Sequence, residues 1–201
     1  MSRRVKAVAL TTGFIGASVG AVLLYPVLFP KVLLVKKIPA EVFRRQPEIQ
    51  VAYRQFQSKG NEYIWGTNDC SILVMDYILA TGNPVPFRPT TETLMSEKFM
   101  REVGFNPEEN IKTGDILVYR YKNRDNEWRG HTGVVVWHDN RHWVVHNAAS
   151  HKGVVMEDLK QFQQLTARLT KSNTNQQRIF RRNDWNSWYA EFVSRRDNPA
   201  N

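Results

Sequence analysis

Four runs rich in valine and aromatic residues follow one another closely: GDILVYRY at 114–121, HTGVVVW at 131–137, HWVVH at 142–146 and GVVM at 153–156. Branched and aromatic side chains in runs this short form strands, so the stretch is predicted to fold as antiparallel strands. Between the second and third runs, HDNR at 138–141 holds Asp139 and Asn140, residues that tolerate the backbone of a tight turn. A hairpin about that pair puts Trp137 opposite His142 and Gly133 opposite His146. Side chains alternate with period two, so His131 shares a face with Gly133 and with His146. The two histidines become diagonal neighbours, with backbones roughly 7–8 Å apart, near enough for the rings to meet. The reading depends on register, since a shift of one residue turns one ring to the other face.

Upstream, YIWGTNDCSILVMDYILATG at 63–82 carries Cys70, the single cysteine of the chain. Cys70, Leu73, Val74, Tyr77 and Ile78 fall on one helical face, and the helix is expected to end at Gly82. Asn68 or Asp69 is the expected N-cap, which places Cys70 in the first turn, where free N–H groups and the helix dipole favour negative charge. A free cysteine is ordinarily an inert core residue. At a helix start it is also a candidate nucleophile, because that position lowers a thiol's pKa. His131, oriented by His146, would supply the base such a nucleophile needs.

From Ala7 to Pro30 there is no charged residue, and roughly 20 apolar residues span a bilayer as a helix. With Arg3, Arg4 and Lys6 ahead of it, 1–30 reads as an N-terminal transmembrane helix, a membrane anchor or uncleaved signal that leaves the rest outside the cytoplasm. Lys31, Lys36, Lys37, Arg44 and Arg45 follow the span, and by the same rule they favour the opposite orientation. Residues 31–47, basic and punctuated by proline, are expected to be a linker, and 48–183 a globular domain. Residues 184–201 read as a C-terminal amphipathic helix and tail, with Trp185, Trp188, Tyr189 and Phe192 at helical spacing. Such a helix usually packs on its domain, although its arginine flanks also suit a membrane surface. The formal charge of +9 favours an anionic partner. The basic residues are scattered and no recognition module is present, so nucleic acid is not expected.

Three ordered segments resemble the NlpC-type cysteine peptidases of bacterial cell walls, which belong to the papain-like superfamily. YIWGTNDCS is similar to the family's nucleophile segment at Tyr63, Trp65, Gly66, Asp69, Cys70 and Ser71. HTGVVVW looks like its second segment, and WVVHNAASHKGVV like its third. TGDILVY carries the glycine and aspartate that open the family's first strand after the cysteine helix, and RIFRR resembles its closing strand. The resemblance implies an α+β, papain-like catalytic domain over 48–183, with a nucleophile helix packed on a small antiparallel sheet. It implies Cys70 as nucleophile, His131 as general base and later acid, and His146 as the residue that orients it. Asp69 would cap the nucleophile helix, and Tyr63 and Ser71 would lie in the substrate or oxyanion region. The implied substrate is the peptidoglycan stem peptide, cut at an amide bond typically next to D-glutamate and diaminopimelate, with no metal or organic cofactor. The implied location is the bacterial inner membrane, single-pass, with the catalytic domain periplasmic.

Two departures from the family pattern stand out. The loop between Gly66 and Asp69 is short, and Ile72 replaces the glycine that usually follows DCS, so a reshaped substrate groove is expected. The same trio would also serve an acyl or peptidyl transferase, because an amine can resolve a thioester as water does. A third reading is a wall-binding domain that has kept the fold without the chemistry. His138, His142 and His146 are spaced to align as metal ligands on a helix, but the valines and the Asp139–Asn140 turn argue for strands there, so no metal site is expected. His151 is expected in a surface loop.

Overall fold

The computed structural model describes residues 35–60, 62–169 and 175–197. The apolar run at 7–30 lies outside them, and among the described residues no helix is long and apolar enough to cross a membrane.

The hairpin forms in the register expected from its turn. β4 (Trp128–His138) and β5 (Arg141–Ala148) pair with Trp137 opposite His142. Asp139 and Asn140 both take positive φ, 50° and 57°, the conformation a two-residue turn needs to follow strand twist. β3 (Ile116–Lys122) pairs with β4, and β6 (Gly153–Asp158) with β5. The sheet extends beyond these four. β7 (Gln176–Arg182) pairs with β3, β2 (Phe105–Glu108) with β7, and β1 (Val35–Lys36) with β6. The described sheet has seven antiparallel strands in the order β1-β6-β5-β4-β3-β7-β2, larger than the small sheet expected.

The valine run of β4 is buried on both faces, which is why it reads as continuous rather than alternating. On one face Val134, Val136, Trp143 and Val145 pack under helix α3 (Cys70–Ala80) and, behind it, α2 (Pro47–Ser58). On the other, Leu117, Tyr119, Val135 and Val144 pack with Phe162 of α6 (Leu159–Leu169). Because α3 is held between the sheet and α2, it buries Ile72 and Asp76 as well as the predicted face, and the Lys59 ammonium pairs with Asp76 at 2.5 Å.

The stretch expected as a linker, 31–47, belongs to the folded body from Val35 onward. β1 is followed by α1 (Ala40–Arg45), whose Val42 is 0% exposed in the main core. Two further short helices, α4 (Thr91–Leu94) and α5 (Glu97–Glu102), connect α3 to β2. At the C-terminus α7 (Trp185–Asp197) packs on the domain through buried Trp188 and Phe192. The Trp188 indole donates to Glu48 at 2.9 Å, and Trp185 donates to the Thr113 carbonyl at 2.9 Å.

The glycine and aspartate before β3 have a structural use. Asp115 is fully buried and accepts two hydrogen bonds from the Arg181 guanidinium, at 2.9 and 2.8 Å. Its backbone carbonyl accepts from Val135 N–H while Gly114 N–H donates to Val135, so the pair locks β3 to β4 in register. Gly114 takes φ +89°, and Trp188 stands where a Cβ would be.

Candidate active site

The loop before Cys70 is built around Asp69. Its carboxylate accepts from Gly66 N–H (3.0 Å), Ser71 N–H (3.0 Å) and the Ser71 hydroxyl (2.6 Å), so Asp69 is the N-cap of α3. Ser71 is buried, and its hydroxyl is spent on that cap. Asn68 instead closes the loop on itself, its amide donating to the Glu62 carbonyl (3.0 Å) and to that of Gly60. Asn147, one residue beyond His146, donates to the Asn68 carbonyl at 2.9 Å and so pins the loop to β5.

The Cys70 thiol meets the sheet at a gap in a ladder. Val135 turns its backbone groups toward β3, so Val134 and Thr132, of the opposite parity, turn theirs toward β5. The β4–β5 pairing stops at Val134 opposite Val145. The Thr132 N–H, next along, turns to the thiol instead. Cys70 thus reaches β4 through the amide of the residue after His131, rather than through a hydrogen bond to His131 itself.

His131 and His146 do meet. His131 Nε2 lies 2.9 Å from His146 Nδ1, with the rings edge to face and Phe162 packed against both. Behind them is a residue sequence reasoning missed: His146 Nε2 lies 3.1 Å from Glu157 Oε2, off the line of a straight hydrogen bond, and Glu157 is 1% exposed. The other Glu157 oxygen accepts from Gln161 at 2.8 Å. A signal was present, because extending the valine run 153–156 by one residue puts a carboxylate beside His146, but it depends on the β5–β6 register.

Burial sets the charge state. It pushes the Cys70 thiol up to about 12, with Asp69 adding to the rise, and the N–H groups of Thr132, Cys70 and Ser71 only partly offset this. The helix start alone would have lowered it, as the sequence led us to expect, and desolvation wins. Burial also holds His131 well below the ordinary imidazole range, helped by His146 and His151. At rest the thiol and the imidazole are therefore both neutral. Alkylation of Cys70 by iodoacetamide should be slow at pH 7 and still be rising at pH 10. An inflection near neutrality would show that the thiol is ionised at rest.

A cleft of about 260 Å³ opens on the thiol, lined among others by Tyr63, Trp65, Ser71, Arg88 and Gly130. Tyr63 faces it with a hydroxyl whose pKa burial raises above the ordinary value, followed by the charges of Cys70 and Asp69, so it stays a proton donor. Trp65 at the lip is 65% exposed. Ile72, expected to reshape the groove, is instead part of the core under α3. The histidines considered as metal ligands are dispersed. His142 packs on Trp137, His138 sits by Asp139 and Glu41, and His146 belongs to the pair above. His151 is exposed in the turn Ala149–His151, its ring 6.4 Å from that of His146.

Gly133 is the hinge of the histidine contact. A Cβ there would lie 2.5 Å from Val144, 2.8 Å from the Val145 carbonyl and 3.0 Å from the His146 Cβ. Gly133→Ala should push His146 away from His131 and cost about 1–3 kcal/mol. Thermal denaturation reads the cost, and the histidine ring resonances read the displacement.

A capped helix that delivers its first residue, a cysteine, to a sheet carrying a bonded histidine pair is the layout of a thiol-nucleophile site. The chain belongs to the NlpC/P60 family, whose model matches residues 60–182. That span contains the cleft, both histidines and Glu157. A search of the curated proteins and one of the solved structures found no match. Family membership supports a cell-wall cysteine peptidase or amidase.

Proposed function

We propose that this protein is a membrane-anchored cysteine hydrolase that cuts an amide bond in peptidoglycan stem peptides. Residues 7–30 would anchor it in the bacterial inner membrane, with the domain from Val35 onward on the outer side. The observation that carries the reading is the thiol of Cys70, set at the start of α3 against the Thr132 amide, one residue from an imidazole already bonded to a second.

In this reading His131 Nδ1 takes the thiol proton as the thiolate attacks the carbonyl carbon. Catalytic hydrogen bonds commonly tighten only when substrate arrives, and this reading needs the Cys70–His131 bond to form then. The Cys70 N–H and the Tyr63 hydroxyl stabilise the oxyanion. His131 then protonates the leaving amine, and water releases the acyl group from sulfur. Arg88 at the cleft, 3.9 Å from Asp69, gives the lip a cation suited to the carboxylates of a stem peptide.

Digestion of purified peptidoglycan with the full chain, followed by mass spectrometry of soluble peptides, tests the proposal. New free amino and carboxyl ends at one bond support it and name the bond. Peptides joined to an added amine would identify a transferase, and an unchanged polymer would overturn the hydrolase reading.

A further inference from the structure

We propose that Glu157 is a positioning residue that fixes the tautomers of both histidines and so leaves His131 Nδ1 as the nitrogen without a hydrogen. This rests on the hydrolase reading for its consequence but not for its chemistry.

The deduction follows from what each atom can donate. An ionised carboxylate only accepts hydrogen bonds. Burial works to raise the Glu157 pKa, but His146 and Gln161 outweigh it and hold the group below its ordinary value, so the carboxylate is charged. Gln161 donates to Oε1, and Oε2 lies 3.1 Å from His146 Nε2; the contact is bent, but a buried carboxylate oxygen this close repels a lone pair on that nitrogen and favours the hydrogen there. His146 is kept neutral by burial, so its single hydrogen is accounted for and Nδ1 is an acceptor. The 2.9 Å contact then requires His131 Nε2 to be the donor. A neutral His131 with hydrogen on Nε2 has a free lone pair on Nδ1, the form a general base needs.

The position of Glu157 is fixed by the backbone on both sides. It stands opposite Val144 in β5 and opposite Val35 in β1. Its side chain shares the face of His146, with Gln161 from α6 closing over it. When His131 gains the thiol proton, the same buried carboxylate lies just behind His146 as its counter-charge.

The test is long-range ¹H–¹⁵N NMR of the full chain with ¹⁵N-labelled histidine, which reads each ring's tautomer without any substrate. Wild type should show His131 and His146 both with hydrogen on Nε2. Glu157→Met, which keeps the bulk and removes the acceptor, should lose the His146 tautomer and lower kcat on wall peptides by about 10–100-fold with KM little changed. Glu157→Gln still offers a carbonyl oxygen, so it should restore the tautomer and most of the rate. Hydrogen on His146 Nδ1 in the wild type would overturn the proposal, and that result stands even if the methionine variant fails to fold. So would unchanged tautomers and kcat in a folded Glu157→Met protein. Correct tautomers in a wild type that cleaves no peptide would sink the hydrolase reading and leave this one intact.

Discussion

Cys70→Ala should fold, keep its cleft and release no peptide from the cell wall. Cys70 is a small side chain in the first turn of α3, and the capping bonds of Asp69 go to Gly66 and Ser71 rather than to the sulfur. The substitution therefore leaves the loop intact and costs about 1 kcal/mol or less in stability, the size of a small buried truncation. Its effect on chemistry is of another order. Without a nucleophile the acyl-enzyme cannot form, and what remains is binding and oxyanion stabilisation, so the rate should fall by at least about 1,000-fold. The measurement is release of soluble peptides at equal concentrations of folded protein, with circular dichroism to establish folding. A variant that still cuts at the wild-type bond would remove Cys70 from the mechanism.

The second large effect is on stability, at the buried Asp115–Arg181 pair that ties the start of β3 to β7. Arg181→Met leaves the Asp115 carboxyl fully buried with only the Lys112 N–H, at 2.7 Å, to accept from. Removing one partner of a buried pair costs about 3–5 kcal/mol, which in a domain of this size lowers Tm by roughly 10 °C. Burial already pushes Asp115 up to about 6 against the pull of Arg181, and without that pull it rises further. The unfolded carboxyl titrates near ~3.9. Between those values the folded variant binds more protons than the unfolded chain, so its stability should fall as pH rises from about 4 and level off above the folded pKa. Urea denaturation at pH 5 and pH 8 reads this directly, with the larger loss at pH 8. The double substitution Asp115→Leu with Arg181→Met should recover most of the stability, because no charge is left stranded. Equal losses for the single and double variants would mean that the cost lies in packing around Arg181 and not in the unpaired acid.

The parts of the fold that sequence made legible are those with local rules. The Asp139–Asn140 turn and the period of a strand were enough to bring His131 and His146 together, because a two-residue turn leaves no freedom in register. Asp69 was legible as a cap for the same kind of reason. Glu157 was not, since a glutamate at the end of a strand ordinarily reads as a solvated charge, and only the β5–β6 register and the cover of α6 make it a buried partner. The thiol's elevated pKa was hidden because it depends on α2 and the sheet closing on α3 from two sides. Basic, proline-rich composition made 31–47 look like a tether, whereas Val42, with Ile38 and Phe43 packed beside it, holds its second half on the core.

The two-residue strand β1 has a consequence for how the protein keeps to itself. It lies along the outer edge of β6, so the backbone groups of Met156 and Glu157 face a strand of the same chain rather than solvent. An open edge of that kind is a template for strands of other molecules. A shortened chain beginning at residue 48 would carry it uncovered, directly beside the carboxylate that orients the histidines, and a neighbouring copy would be drawn to the place Val35 and Lys36 now fill. The short strand next to the apolar segment is thus a guard against self-association as well as the first rung of the domain.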